Sequence, residues 1–527
     1  MSAAFDAIVI GAGANGLVAA TALAQAGKRT LLLERSNDVG GQAASIEFAP
    51  GFRAAPLALD ADWLPPSVQR GIRVSTPALA AANTLTNIAD GSRFLSISAD
   101  VRTTVDALRA RSPRDADAWP AFVTTLHSVS TFLEHLCQAP PIDVDASGIE
   151  DMRGMASLAW RFRSLGRQRM TDLLRVLPMS VEELLDDSFQ DAALKTAVAA
   201  GGIRGIRQGP RSGGTAFVLL HNLIGAGPGA VRRFGYWRAG AHALVATLET
   251  AARQAGVVIR ASASVAQIRV QDDAVSGVVL DTDEEIASKL VLSSADPYRT
   301  LLGLIDPVWL DPDFMHAVRN IKFRGCTTFV LYALDAMPDF PGLDHATRNL
   351  TGWVSLSPDM MAIERACDAT KYGRIAERPH VEFTVSSLRW PETAPNGRHV
   401  LVARAQYMPW RLRDDVPWDE SVRDRVADSV SCAIADVSPG FTGRILHRVT
   451  LGPHEIADRF ALTEGAASQG EMMLDQILFM RPVPGWGRYA MPIRGLYLCG
   501  AGSHPGPGVP GGAGWLAARA ALAGDAK

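Results

Sequence analysis

Cysteine is scarce and irregularly spaced in this chain of 527 residues. No two cysteines form a CxxC motif, and the five are Cys137, Cys326, Cys367, Cys432 and Cys499. That pattern disfavours a disulfide framework, a redox dithiol and a zinc site, so we expect reduced thiols and no bound metal. A cytoplasmic location fits this expectation.

An excess of charge of one sign is also absent, since the formal net charge is −3 at pH 7. Bulk charge therefore gives no reason to expect a nucleic-acid partner or an anionic membrane surface. Residues 1–6 lack the basic segment that begins a signal peptide. The apolar run 7–27 is interrupted by four glycines and Asn15, which argues against a membrane span. What is present is a globular composition, in a chain long enough for two or more domains.

The apolar run is better explained as a nucleotide-binding βαβ unit. Residues 7–10 form a short apolar run typical of a buried parallel strand, and residues 17–26 are rich in Ala and Leu, as in a helix. A second apolar run, 30–33, ends in Glu34. The sequence Gly-Ala-Gly-Ala-Asn-Gly at residues 11–16 has the spacing of a dinucleotide-binding fingerprint.

Each residue type in the fingerprint has a physical reason. Gly11 permits the tight turn, Gly13 lets the backbone approach a diphosphate, and Gly16 lets the helix pack closely on the strand. Ala14 and Asn15 lie between these glycines, just ahead of the helix, whose N-terminal N–H groups and dipole favour an anion. The unit therefore predicts a diphosphate at the start of this helix.

The residues after the second strand indicate which dinucleotide is bound. Glu34 lies at the distance from which a carboxylate accepts hydrogen bonds from a ribose 2′-hydroxyl, which argues against NADP, although the neighbouring Arg35 would suit a 2′-phosphate. The pair Gly40 and Gly41, followed by Gln42, resembles the extension of two-domain FAD proteins. An ordinary glycine turn is the alternative for that pair alone. Because no second fingerprint follows a clear strand, tight binding of NAD(P)H is not predicted.

The end of the chain again places a glycine-rich loop between an apolar strand and a helix. Residues 495–499 are the strand, 500–514 are rich in glycine and proline, and 515–523 form the helix. This geometry favours a cofactor contact over a simple linker. The loop residues expected at the flavin are Gly500, Ala501, Val509 and Pro510.

The middle of the chain mixes helical and strand-like patterns. Helices are predicted at residues 99–136, 241–256 and 420–436. A further helix is predicted to begin at the capping box formed by Ser180 and Glu183. Strands are predicted at 257–268, 274–280, 285–292, 327–333, 381–386 and 399–407. The stretch 160–170 mixes arginines with apolar residues, which predicts either a peripheral membrane patch that admits a lipophilic substrate or a solvated basic helix face.

Together these segments resemble the phytoene desaturase-like flavoproteins, within the amine-oxidase-like FAD superfamily, nearly end to end. The branch most similar is the phytoene dehydrogenase-related one of bacteria and mitochondria. Further motifs that carry the resemblance are Gly235 to Gly240, Ser294-Ala-Asp-Pro297, Asp475-Gln476 before Phe479-Met-Arg-Pro482, and Leu496 to Pro505.

The resemblance implies an α/β fold with a discontinuous Rossmann-type FAD domain and an α+β substrate domain of mixed sheet and covering helices. The FAD domain is expected to comprise residues 1–98, 231–300 and 485–527. The substrate domain is expected to comprise a mostly helical part, 99–230, and a second part, 301–484. The resemblance also implies that the backbone of Val265 contacts the adenine.

The resemblance further implies an FAD-dependent desaturase or oxidase that removes hydride from a C–H bond of a small apolar substrate, isoprenoid or alicyclic. Oxygen or a quinone would accept the electrons, and the oligomeric state stays open. The alternatives are an amine oxidase acting on C–N bonds and an interaction protein with a vestigial flavin, although the intact glycines argue against the latter.

Polar residues near the expected flavin site are the catalytic candidates. His504 in the C-terminal loop and Asp475 in the preceding motif come first, and Arg207 and His221 are weaker candidates. A turn-stabilising role is the alternative for His504, and a buried structural role is the alternative for Asp475. The sequence departs from related flavoproteins near the flavin, since Gln42 replaces a frequent arginine, and prolines at 507 and 510 replace the more usual glycine and threonine.

Overall fold

The computed structural model describes residues 5–82, 84–91, 93–142, 149–164, 166–343 and 350–525. The helices are α1 (Ala14–Gln25), α2 (Pro66–Ile72), α3 (Val101–Arg109), α4 (Pro113–Leu136), α5 (Ile149–Ser164), α6 (Arg167–Val176), α7 (Val181–Asp186), α8 (Ala192–Gly202), α9 (Thr215–Asn222), α10 (Ala243–Gln254), α11 (Pro312–Arg319), α12 (Met360–Lys371), α13 (Glu420–Ala435), α14 (Pro453–Phe460) and α15 (Gly512–Asp525). The strands are β1 (Ala7–Ile10), β2 (Thr30–Leu33), β3 (Ile46–Ala49), β4 (Phe52–Ala54), β5 (Leu79–Ala81), β6 (Thr84–Asp90), β7 (Arg93–Ser98), β8 (Gly235–Trp237), β9 (Val258–Arg260), β10 (Val265–Gln271), β11 (Ala274–Leu280), β12 (Glu285–Ala287), β13 (Val291–Ser293), β14 (Thr327–Leu334), β15 (Trp353–Ser355), β16 (His380–Val385), β17 (His399–Gln406), β18 (Ile445–Leu451) and β19 (Leu496–Leu498).

A five-stranded parallel sheet forms the first layer, in the order β19-β13-β1-β2-β9. Ile8 pairs with Leu31 on one side and with Val291 on the other, and Val291 in turn pairs with Leu496. Every residue of β1, β2 and β13 is buried, which explains their continuous apolar sequences. The sheet draws on three distant parts of the chain, so the α/β domain is discontinuous, as predicted.

The second sheet has seven strands in the order β18-β14-β17-β16-β15-β6-β7 and mixes parallel and antiparallel pairs. Helix α13 covers one of its faces, where Val422 and Val426 join the same core cluster as Val381 and Phe383. The opposite face carries Glu382 and Arg404, which are register partners on β16 and β17.

A helical layer packs beside these sheets. Its core includes Trp119 and Phe122 of α4, Val198 of α8 and Leu219 of α9. The predicted capping box is present, since the Ser180 N–H donates to Glu183 Oε2 at 2.9 Å and the Glu183 N–H donates to Ser180 Oγ at 3.1 Å. No helix in the described ranges is both long and apolar enough to cross a membrane.

The structure corrects several predicted boundaries. Residues 84–98, assigned from sequence to the first FAD-domain segment, pair instead in the seven-stranded sheet, because β6 lies beside β15. The predicted helix 99–136 is two helices, since Ser112 caps a new helix that begins at Pro113. The predicted strand 257–268 divides between the parallel sheet (β9) and a three-stranded antiparallel sheet in the order β10-β11-β12. The predicted strand 285–292 divides in the same way, between β12 and β13.

Candidate functional site

A cavity of about 600 Å³ lies where the carboxyl ends of β1 and β2 meet the start of α1. This volume falls in the ordinary range of cofactor sites. Of the residues predicted to contact a cofactor, Gly16 and Gly500 do not line this cavity. The predicted residues that do line it are Gly11, Gly13, Ala14, Asn15, Glu34, Arg35, Gly40, Gly41, Gln42, Val265, Ala501, Val509 and Pro510. The structure thus brings together three segments that are distant in sequence.

Gly11 and Gly16 shape the tight turn between β1 and α1. Gly11 has a φ of +90°, and a Cβ on Gly16 would lie 1.9 Å from the Gly11 carbonyl oxygen. Ser294 closes the turn from the side, because its hydroxyl donates to the carbonyl oxygens of Ile10 at 2.9 Å and Gly11 at 3.1 Å. Gly16 therefore acts through close packing, the role that its position in the fingerprint predicts.

The N-terminus of α1 lines the cavity and receives no side-chain cap from the residues that the structure describes. Gly13 is the N-cap, and the first turn has neither a side-chain cap nor an acidic residue. A Cβ on Gly41 would lie 3.0 Å from the Gly13 Cα, so only glycine permits this close approach of two backbones. The uncapped helix N-terminus and the close approach of the two glycine backbones fit a diphosphate held at the helix start. Asn15 Oδ1 is buried and has no hydrogen-bond partner among the described residues, and as an acceptor it fits a hydroxyl donor rather than a phosphate oxygen.

Glu34 is fixed at the end of β2 by two backbone hydrogen bonds. Its Oε2 accepts from the Ala12 N–H at 2.7 Å, and its Oε1 accepts from the Ser36 N–H at 2.9 Å. A carboxylate offers about four acceptor positions, so it can also accept from ribose hydroxyls. The carboxylate therefore links the glycine turn to the place expected for the ribose.

The guanidinium of Arg35 is already engaged by protein groups. It donates to the carbonyl oxygens of Asp458 at 2.6 Å and Arg459 at 2.8 Å, at the C-terminus of α14. Partial burial is the main cause that lowers the pKa of Arg35. This engagement favours a ribose without a 2′-phosphate, although Arg35 does line the cavity.

Gln42 and Gln469 form hydrogen bonds between segments that line the cavity but are distant in the chain. Gln42 Nε2 donates to the Ala467 carbonyl oxygen at 2.8 Å, and Gln469 Nε2 donates to that of Ser294 at 3.2 Å. A Cβ on Gly500 would lie 2.4 Å from the Ser294 carbonyl oxygen, so Gly500 is a packing residue behind the wall. No sequence motif marked Gln469, whose partners are distant in the chain.

Arg481 and His221 hold the C-terminal loop. Arg481 is fully buried, and it donates to the Ala501 carbonyl oxygen through Nε at 3.0 Å and Nη2 at 2.7 Å. Burial lowers its pKa to about 9. His221 Nε2 donates to the Pro507 carbonyl oxygen at 2.9 Å. Because Ala501 and Pro507 line the cavity, these two side chains position its wall without belonging to it.

Neither catalytic candidate from the sequence lines the cavity. His504 is buried, and its Nε2 donates to the carbonyl oxygens of Leu136 at 3.0 Å and Ala139 at 3.1 Å. Asp475 has a side chain 54% exposed and pairs with Lys322 at 2.6 Å, so the alternative of a buried structural acid is wrong. Arg207 also lies outside the lining. The catalytic roles of His504 and Asp475 stay predictions without support from this geometry.

Sequence reasoning did not single out Asp60 and Asp62, which line the same cavity. Asp60 is buried and accepts from Trp353 Nε1, at 3.0 Å to its Oδ2. Although burial acts to raise the pKa of the Asp60 carboxyl, nearby arginines, Arg204 foremost, hold it below its usual value. Asp62 forms an ion pair with Arg233. Both acids lie in a loop without a recognisable motif.

Comparison with known proteins decides the family. Residues 6–297 match the family model described as an FAD binding domain. This chain belongs to that family. A full-length relative, pyridine nucleotide-disulfide oxidoreductase domain-containing protein 2 of Rattus norvegicus, is 31% identical, over 98% of this chain and 92% of its own length.

Two further relatives of this FAD-binding protein are named for a substrate and a reaction. A limonene dehydrogenase component of Castellaniella defragrans is 23% identical, over 98% of this chain and 94% of the relative. The neurosporene-forming phytoene desaturase of Cereibacter sphaeroides is 24% identical, over 99% and 95%. The fold is shared with wild-type putrescine oxidase bound to putrescine, at a TM-score of 0.58, 14% identity and full coverage of both chains. The chain is thus an FAD-dependent oxidoreductase, as predicted, and it shares the fold of an amine oxidase.

Proposed function

We propose that the enzyme removes hydride from a C–H bond of a small apolar substrate, alicyclic or isoprenoid. The observation that carries this proposal is the position of Val509, which lines the cavity and also belongs to the core cluster of the helical layer. Phe217 and Met472 belong to that same cluster. Of these three side chains Val509 is the one that lines the cavity, so an apolar body placed beside it would contact hydrocarbon instead of water.

The acidic side chains of this part of the cavity favour C–H over C–N oxidation. Asp60 is paired with Arg204 at 3.1 Å, and Asp62 is paired with Arg233. A protonated amine needs a carboxylate that is free to accept from it, and both of these carboxylates already face a guanidinium. Amine oxidation remains the alternative, and the likeness to putrescine oxidase supports it only at the level of the fold.

When bound, the flavin of FAD supplies a hydride acceptor at its N5 atom. The protein supplies the position: Glu34 and the α1 N-terminus hold the nucleotide end, and the loop fixed by Arg481 and His221 forms the wall at Pro507. Val509 contributes an apolar surface that excludes water from the reacting carbon. The neighbouring carbon would lose a proton to solvent as the C=C bond forms. Oxygen or a quinone would then accept the two electrons together with two protons, which restores the oxidised cofactor.

Anaerobic mixing of the FAD-loaded protein with matched substrates tests the proposal. Limonene and cyclohexene should bleach the oxidised flavin band and yield products two hydrogens lighter, whereas cyclohexylamine should leave the band unchanged. The Arg253→Gln variant serves as a control and should reduce at the same rate, since Arg253 lies on the surface and pairs with Glu249. Bleaching by the amine alone would support the C–N alternative.

Two further measurements separate the remaining possibilities. The rate at which air or a soluble quinone restores the oxidised band identifies the electron acceptor. A Gly13→Trp variant should lose FAD and all substrate oxidation, and a cellular role that survives this loss would support the interaction-protein alternative.

A peripheral membrane contact is a second proposal, supported by the surface of α5 and α6. Trp160 is 70% exposed, Leu174 is 61% exposed and Met152 is 51% exposed. Large apolar side chains beside arginines are typical of helices that lie in a membrane interface, where a lipophilic substrate would be collected.

A further inference from the structure

A cluster of arginines surrounds one indole ring on the face of the seven-stranded sheet opposite α13. The ring belongs to Trp353, which is 1% exposed. The guanidinium carbons of Arg404, Arg232 and Arg204 lie 4.8, 5.1 and 5.9 Å from its centroid. Guanidinium groups at such distances interact favourably with the face of an aromatic ring. We call these three arginines, together with Arg389, the arginine cluster.

The arginine cluster contains more positive charge than its acidic partners balance. Glu382 pairs with Arg232 at 2.7 Å and also with Arg404. Asp60 pairs with Arg204 at 3.1 Å and with Arg389 at 3.2 Å. Four guanidinium groups thus face two carboxylates, which leaves an excess of two positive charges among these six side chains. Arginine does not release its proton at physiological pH, so the excess is permanent.

The neighbouring titratable group adds no charge of either sign. His380 lies 3.9 Å from Glu382, and burial lowers its pKa to about 4, so it is neutral near pH 7. Its Nδ1 lies 2.8 Å from the Ser357 hydroxyl. The excess of positive charge is therefore not increased by this histidine, and it is not reduced by any further acid that pairs with the cluster in the described ranges.

Several donors of the arginine cluster have no acceptor in the protein. Arg232 Nε, Arg404 Nε and Arg389 Nη2 are buried and lack a hydrogen-bond partner in the part of the chain that the structure describes. The side chains of these arginines are at most 6% exposed. Buried charges and buried donors of this kind are unfavourable unless a further group compensates them.

The arginine cluster also adjoins the cavity of the cofactor site. Asp60 lines that cavity and contacts both Arg204 and Arg389. Arg204 is the most accessible member, with 29% of its side chain exposed. Its loop is held over the sheet, because Gln406 Nε2 donates to the Ile206 carbonyl oxygen at 3.0 Å. None of the four arginines lines the cavity itself, so a molecule in the cavity would reach the cluster past the carboxylate of Asp60.

We propose that the arginine cluster binds a carboxylate carried by the substrate, so that the substrate class is an apolar carboxylic acid. The planar fork of arginine matches a carboxylate with two parallel hydrogen bonds, and Trp353 fixes the orientation of the guanidinium planes. The excess positive charge would repel a protonated amine. This inference rests on the proposed C–H oxidation, and it adds the group by which the substrate is held.

Three small molecules of matched shape test the charge preference by binding alone. Cyclohexanecarboxylate, cyclohexanecarboxamide and cyclohexylamine are titrated into the oxidised FAD-loaded protein, and the change in the flavin absorbance spectrum gives each Kd. We expect the carboxylate to bind at least tenfold more tightly than the amide, and the amine to bind most weakly. Equal affinities, or a preference for the amide or the amine, would overturn the proposal.

Substitutions then show whether the arginine cluster causes the preference. Arg204→Gln, which changes the most accessible member, should remove the tenfold preference while FAD content and thermal stability are retained. Arg232→Gln should also remove the preference, with lower thermal stability because Glu382 loses a buried partner, and Arg204→Lys should keep part of the preference. Arg253→Gln is the matched control, because Arg253 lies on α10 and pairs with Glu249 on the surface.

The outcomes separate this inference from the proposed function. If Arg204→Gln keeps the full preference for carboxylate, the cluster is not the binding site, whatever the enzyme oxidises. If the preference depends on Arg204 but no alicyclic compound, acid or hydrocarbon, reduces the flavin, the anion site stands and the proposed C–H oxidation fails.

Discussion

Acidification should release FAD through two buried histidines that hold the C-terminal loop and its surroundings. His221 binds the Pro507 carbonyl oxygen, and His504 binds those of Leu136 and Ala139. Burial is the main cause that lowers the pKa of each from 6.5 to about 4. Both are therefore neutral in the folded protein near pH 7, and both use an N–H donor that needs no added proton.

The sign and size of the effect follow from these pKa values. The unfolded chain takes up protons below pH 6.5, whereas the folded chain does so only near pH 4. The stabilisation is fully present above pH 6.5 and is lost as the pH falls towards 4. One pKa unit corresponds to about 1.4 kcal/mol, so each histidine costs roughly 2 kcal/mol at pH 5 and the pair roughly 4 kcal/mol.

Urea titrations that follow flavin release, at half-unit steps from pH 7 to pH 5, measure this dependence. The double variant His221→Gln and His504→Gln keeps an amide donor for the same carbonyl oxygens and has no group that titrates in this range. Its midpoint should fall much less with pH than that of the parent protein. A pH dependence equally steep in both proteins would refute the assignment of acid sensitivity to these two side chains.

Two other changes address the nucleotide site and the helical surface. Glu34→Gln should weaken FAD binding, measured by equilibrium dialysis, because the amide cannot accept hydrogen bonds from both Ala12 and Ser36. A lost charged hydrogen bond costs about 1.5–3 kcal/mol, so we expect the affinity to fall roughly 10- to 100-fold. Unchanged affinity would contradict the role of the Glu34 carboxylate. Trp160→Ser should lower flotation with neutral phospholipid vesicles several-fold without changing FAD content, and equal flotation of both proteins would leave residues 160–170 as a solvated helix face.

The nucleotide-binding end of the cavity could be predicted from sequence because its pattern is local. The turn at Gly11, the close packing at Gly16 and the acid at Glu34 all lie within one βαβ unit, where spacing determines position. The C-terminal loop was also predictable, since its glycines follow an apolar strand. Arg35 shows the limit of this reasoning, because its guanidinium binds the end of α14, more than 400 residues away in the chain.

The catalytic candidates were harder to place, because residue type and proximity to a motif do not determine where a side chain points. His504 lies within the C-terminal loop, yet its ring binds carbonyl oxygens at and beyond the end of α4, behind the cavity wall. Asp475 lies in a recognised motif, yet it pairs with Lys322 on the surface. Both outcomes depend on contacts between distant segments, which a single sequence does not reveal.

The arginine cluster was missed for a different reason, and its residues suggest what to look for. Arg404 is a charged residue within β17, whose neighbours in sequence are apolar, and Glu382 occupies a similar place in β16. Since strand residues alternate between the two faces of a sheet, a charge inside a buried strand must face either solvent or a partner. Here both side chains are buried, so the charges require partners, and the two carboxylates available balance only half of the four arginines. A buried strand of this kind in an oxidoreductase therefore predicts a ligand that carries the missing charge.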